Sequence, residues 1–176
     1  MNLTDKDNLD ALIGKADFWN PKQAVGVCDY VAGIPEIDQK LDAKSFFEAP
    51  PLINFNVHDD GLEVSLAMGF SRSFVAIPTA SLESVVLEIG GTIDVEERSV
   101  IGRAVVGGLL LGPLGAIVGA ASGLKDKVIK DNDTLLVNVD DNGTKHALLM
   151  TIKKGKTADV KKFFTEHYRA VFSLNT

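Results

Sequence analysis

Leu62, Val64, Leu66, Met68 and Phe70 alternate without a break with Glu63, Ser65, Ala67 and Gly69. A period of two places the two sets on opposite faces of a β-strand and does not fit the stripe of a helix. This strand is entered from His58-Asp59-Asp60-Gly61, whose Asp-Gly end suits the positive φ of a tight hairpin. Before the turn, Ile53, Phe55 and Val57 alternate with Asn54 and Asn56. One hairpin is therefore written into residues 53–70, and the fold has to be built around antiparallel strands.

The same grammar continues along the chain. Ser73 to Ile77 reads as a strand stopped by Pro78, and Val85–Ile89 and Thr92–Val95 flank Gly90-Gly91 as a hairpin or bend. Leu135, Val137 and Val139 alternate again. Asp140-Asp141-Asn142-Gly143 makes a second strong turn, and Ala147 to Ile152 returns as the partner strand. Thr157 fits an N-cap and Asp159 the first turn of a helix. Val160, Phe163, Phe164, His167, Tyr168, Val171 and Phe172 then follow at helical spacing. Six or seven antiparallel strands and one terminal helix predict an α+β fold: a bent antiparallel sheet or small open barrel capped by that helix.

The N-terminal third is less regular. Thr4 with Asp7 predicts the start of a short helix carrying Leu9, Leu12, Ile13 and Ala16 on one face, ended by Pro21. Residues 20–50 hold several glycines and prolines with weak periodicity and read as loop with short elements. We therefore divide the chain into an N-terminal extension, 1–50, and a main domain, 51–176.

Within the main domain lies a segment of another character, IGRAVVGGLLLGPLGAIVGAASGL at 101–124. It has seven glycines, and Arg103 is its only charge. Each glycine costs a helix interior about 0.8–1 kcal/mol against alanine, so such density asks for a close-packed backbone. Ala104, Gly108 and Gly112 form one ladder and Gly115, Gly119 and Gly123 another, both spaced i, i+4, i+8, with Pro113 between them. The expected form is a helical hairpin whose small-residue faces serve helix packing or oligomerisation. A second reading stays open. Leu109, Leu110, Leu111, Leu114, Ile117 and Val118 would enter a bilayer, and Lys125, Lys127 and Lys130 would meet anionic headgroups. The run contains no GxxxxGK[ST] phosphate loop.

Composition narrows the partners. The 176 residues carry a net charge of −6, which argues against nucleic acid. The acidity is concentrated in the first hundred residues, and the lysines gather after the glycine run. A single cysteine, Cys28, allows no intrachain disulfide, and the N-terminus has no basic region followed by an apolar core, so the cytoplasm is expected, with membrane association as the variant. His58 is expected at a solvated hairpin tip beside Asp59 and Asp60, and His146 and His167 as partly buried, satisfied histidines. No catalytic, cofactor-binding or metal-binding constellation is expected, and Cys28 reads as a small buried residue.

Ser84-Val85-Val86-Leu87-Glu88, Glu97-Arg98, Gly102-Arg103-Ala104, Gly107-Gly108, the stretch Leu111 to Gly119 and the basic residues that follow together resemble bacterial pleckstrin-homology-like domain proteins with a glycine-zipper insertion. The resemblance covers roughly residues 60–172 and is strongest at 97–123. It implies a bent barrel capped by the C-terminal helix, and a binding module for proteins, peptides or lipids rather than an enzyme. The hairpin from Asn56 to Glu63 is acidic, so the phosphoinositide-binding lysines and arginines of eukaryotic relatives have no counterpart there. The expected partners are another copy of the chain or another protein, with an anionic membrane surface as the alternative and no cofactor.

Overall fold

The computed structural model describes residues 3–17, 19, 21–42, 49–90, 93–95, 127–129 and 132–175. Its elements are α1 (Lys6–Ile13), β1 (Gln23–Ala32), α2 (Pro35–Asp42), β2 (Leu52–His58), β3 (Gly61–Met68), β4 (Ser71–Pro78), β5 (Leu82–Glu88), β6 (Ile93–Val95), β7 (Lys127–Ile129), β8 (Thr134–Asp141), β9 (Thr144–Ile152), α3 (Thr157–His167) and β10 (Phe172–Asn175).

Eight strands form one open sheet in the order β10-β5-β8-β9-β1-β2-β3-β4. Two antiparallel meanders, β1 to β4 and β5-β8-β9, are joined where β1 pairs with β9. The sheet is mixed, because β10 lies parallel to β5 with Phe172 opposite Val85. The fold is α+β, as expected, but the sheet is not wholly antiparallel.

The hairpin around residue 60 pairs in the expected register, with Phe55 opposite Val64 and Asn56 opposite Glu63. Its glycine serves another purpose than the one the sequence suggested. Gly61 is absent from the positive-φ positions. A Cβ there would lie 2.5 Å from Ile13 Cγ2 and 2.6 Å from the Ile77 carbonyl oxygen, so glycine is required by close approach. At the second turn, Asn142 and Gly143 do take φ of 52° and 85°, matching the strand twist of a two-residue hairpin.

The loop reading of residues 20–50 is corrected. Ten of them, from Gln23 to Ala32, form β1, between β9 and β2, and Pro35–Asp42 is helical. The alternation is hidden by a bulge between Ala24 and Cys28, where Gly26 takes φ +61°, and by burial on both faces farther along. Tyr30 then fixes the exit of the strand: its hydroxyl donates to Asp38 Oδ1 at 2.7 Å and accepts from the Ile34 N–H at 2.7 Å.

Of the hairpin or bend expected at Gly90-Gly91, the structure has a bend at Ile89 and Gly90 and no hairpin between β5 and β6. β5 pairs with β8 and β10, while β6 pairs with β7, Val95 opposite Lys127. At the N-terminus the cap is Asp5, which accepts from Asn8 N at 2.8 Å. Thr4 is bonded instead to the edge of β4, Thr4 N to Phe74 O at 2.8 Å. α1 ends at Gly14, well before Pro21, and buries Leu9 and Ile13 while Leu12 is exposed.

One core lies between the sheet and α3. Phe55 meets Phe164 edge-on at 5.1 Å and stacks on Phe163 at 5.9 Å, and the Tyr168 hydroxyl donates to the Gly61 carbonyl at 3.0 Å. Such aromatic pairs add about 0.5–1.5 kcal/mol each beyond area burial. α3 is shorter than its apolar spacing predicts. It stops at His167, and Phe172 opens β10. Thr157 is also not the cap: Lys156 holds that position, and the Thr157 hydroxyl donates to Asp133.

The β5-β8-β9 half of the sheet is apolar on both sides. Val85, Val137 and Leu148 adjoin one another on the core face at 0% exposure. Val86, Leu136, Leu149 and Ala32 run across the opposite face at 5%, 4%, 0% and 0%.

Candidate functional site

A cleft of ≈ 530 Å³ lies where α1 and the segment after it meet the outward row of β2, β3 and β4. The strands supply it by alternation: Asn56 and His58 from β2, Glu63 from β3, and Arg72 and Phe74 from β4 share the face opposite the core. α1 and its exit supply Lys6, Asp10 and Lys15. The strap is held over the strands by Asp60 N to Ile13 O at 2.9 Å, Asp59 N to Lys15 O at 3.0 Å and an isolated bridge between Ala16 and His58.

His58 sits at the root of the cleft and is 6% exposed, not a solvated hairpin tip. The strap covers it, which the local sequence could not show. Its Nδ1 lies 2.7 Å from the Gly14 carbonyl and its Nε2 lies 2.8 Å from Glu63 Oε2. A carbonyl accepts only, so Nδ1 carries a proton by hydrogen-bond assignment. The contact on the other side needs a second proton, held between Nε2 and the carboxyl group. Asn56 Nδ2 donates to the same Glu63 oxygen at 3.2 Å, while Asn56 Oδ1 is buried with no hydrogen-bond partner.

Chemically, this histidine is occupied on both sides. A general base needs a free ring nitrogen facing its substrate, and neither nitrogen of His58 is free. The other histidines stand apart from it. His146 and His167 are partly buried, and burial holds both imidazoles below their ordinary value. Cys28 is fully buried in the core, where burial pushes its thiol up and away from the reactive thiolate. Among the described residues, no group of three or more His, Cys, Asp or Glu is arranged to hold a metal ion.

The packing and membrane positions expected from sequence, namely Ala104, Gly108, Leu109, Leu110, Leu111, Gly112, Leu114, Gly115, Ile117, Val118, Gly119, Gly123, Lys125 and Lys130, lie outside the described residues. Lys127 opens β7. The chain leaves the β6–β7 stem at Val95 and returns to it at Lys127, directly opposite. The stem is not part of the main sheet, and it is spliced between the end of β5 and the start of β8, which are neighbours. Gly90 N donates to Asp133 Oδ1 at 3.0 Å, tying the two ends of this excursion together. No described helix is long and apolar enough to cross a membrane.

No family model, curated protein or solved structure matches this chain.

The cleft itself was invisible in the sequence. Its parts come from residues 6–17, 21–23, 56–63 and 72–74, and only the pairing of the N-terminal strap with β2 and β4 unites them. The one available signal was the row of polar residues Asn54, Asn56 and His58 facing Glu63 and Ser65 on a hairpin whose other face is apolar.

Proposed function

We propose that this chain is a non-enzymatic binding or scaffolding module of pleckstrin-homology-like architecture, which self-associates or docks through its glycine-rich segment, 101–124. The observation that carries this reading is the stem. β6 and β7 pair with each other outside the eight-stranded sheet, and among the described residues every pairing of that sheet is made by other strands. The helix packed on the core supports the capped sheet that the resemblance implies, although the sheet is open and carries β10 as an eighth, parallel strand. The full engagement of His58 and the burial of Cys28 support a binding role over catalysis.

In this reading the two ladders, Ala104-Gly108-Gly112 and Gly115-Gly119-Gly123, let two helical backbones approach closely. Gly115→Leu and Gly119→Leu place large side chains in that contact. The expected result is a lower assembly mass in sedimentation with unchanged circular dichroism of the sheet. Unchanged mass and unchanged thermal stability in both variants contradict it. Flotation of the detergent-free protein with anionic vesicles, lost on raising salt, would move the segment's role from packing to membrane contact.

A further inference from the structure

We propose that the cleft between α1 and the β2–β4 face binds an organic phosphate monoester. Three cations from three separate parts of the chain line it: Lys6 on the first turn of α1, Lys15 just past its end, and Arg72 near the start of β4. Among the described residues, none of the three side chains makes an ion pair or hydrogen bond. Two of the three carboxylates beside them accept hydrogen bonds within the protein, and the third, Asp10, is half exposed. Glu63 accepts from His58 and Asn56, Asp17 accepts from Trp19 N at 3.0 Å, and Asp10 lies 3.9 Å from His58 Nδ1. The donors left over for a ligand are therefore cationic, and Glu63, the carboxylate deepest in the cleft, is spent on His58 and Asn56.

A volume of ≈ 530 Å³ falls within the range of small-molecule sites, about 300–1,000 Å³. Leu9, Ala16, Pro21 and Phe74 give one part of the wall an apolar surface, suited to the carbon skeleton of an ester. A phosphate monoester carries about −1.5 to −2 charge and three acceptor oxygens, which matches two or three cations lining one cleft better than a single carboxylate does. Asp10 and Asp17 stand on the same rim and oppose a polyphosphate, whose further charges would meet them.

The test titrates the full-length protein with phenyl phosphate, inorganic phosphate and sulfate at fixed ionic strength, following amide shifts by NMR. The expected result is saturable shifts confined to residues 6–16 and 72–74, strongest with phenyl phosphate. Arg72→Gln and Lys15→Gln should each weaken binding about tenfold, the loss of one charge-assisted hydrogen bond. Both residues are exposed, so the variants should unfold as the parent does. Lys161→Gln, on the exposed side of α3, should leave binding unchanged. Phosphatidylcholine vesicles carrying phosphatidic acid identify the source. Arg72-dependent vesicle binding makes the ligand a lipid headgroup, and phenyl phosphate binding without vesicle binding makes it a soluble ester. Both outcomes support the site. Absent shifts, shifts spread over Lys153, Lys161 and Lys162, or full affinity in Arg72→Gln overturn it.

Discussion

The Nδ1 of His58 lies 2.7 Å from the carbonyl oxygen of Gly14, which joins the last residue of β2 to the residue that ends α1. Through this contact the N-terminal strap is part of the fold. Its backbone is bonded to the β2–β3 turn and to the edge of β4, and its Leu9 and Ile13 are buried. Bonding at Phe74 also covers part of an edge strand that would otherwise offer free backbone groups to another chain.

His58→Ala should destabilise the protein by roughly 2–4 kcal/mol, between the loss of one hydrogen bond and the breaking of a buried ion pair. Glu63→Gln should cost much less, below about 1.5 kcal/mol. A glutamine amide can donate to a neutral His58 Nε2 and, after rotation of the Asn56 amide, to the Asn56 oxygen that now has no partner. Urea unfolding of both variants checks the ordering, and equal losses would contradict the proton assignment.

Gly61→Ala should be more damaging than Gly69→Ala, although only Gly69 has a positive φ. The added Cβ at Gly61 meets Ile77 backbone at 2.6 Å, which cannot rotate away, whereas at Gly69 nothing lies within 4 Å. Overpacking of this kind costs about 1–3 kcal/mol or more, and here against rigid backbone, compared with about 1–2 kcal/mol for alanine in the left-handed region. Melting temperatures of the two variants decide it, and a lower value for Gly69→Ala would contradict the packing argument.

Leu148→Ala and Leu149→Ala point to opposite faces of β9, yet both residues are 0% exposed. Each should cost about 2–5 kcal/mol, as buried leucines do. A surface-like loss within about 0.5 kcal/mol for Leu149→Ala would show that the outer face of this half of the sheet meets water.

Stability should fall as the pH drops below about 6.5, the ordinary histidine value. Burial is the first cause that lowers His146 and His167, so these side chains take up protons more readily in the unfolded chain. Their contribution is complete above the unfolded value and is lost as the pH falls through the folded one. The double variant His146→Gln, His167→Gln should flatten the denaturation midpoint between pH 7 and 5. An unchanged slope would contradict the assignment.

The antiparallel hairpins were legible wherever apolar and polar or small side chains alternate, as at Leu62 to Met68, because alternation then reports the two faces directly. β1 was not legible: a bulge at Gly26 shifts its period, and Val31 and Ala32 are buried beside Tyr30. The runs Val85-Val86-Leu87, Leu135-Leu136-Val137 and Leu148-Leu149-Met150 did carry a signal of burial on both faces, which reading for alternation passes over. Partner choice was beyond local pattern. Nothing around Thr92–Val95 says that it pairs with residues 127–129 rather than with β5, since that choice depends on contacts far apart in sequence. The burial of His58 is hidden from local pattern for the same reason, its Nδ1 partner being Gly14, 44 residues away.

The proposed function places association in the segment between β6 and β7 and folding in the sheet. Replacing residues 96–126 with a two-residue Asn-Gly turn joins Val95 to Lys127, which already face each other. Sedimentation equilibrium of the full chain and of this shortened chain is the most direct measurement. The expected result is a monomer for the shortened chain, with cooperative unfolding retained, at concentrations where the full chain associates; the same mass for both chains contradicts the proposed function.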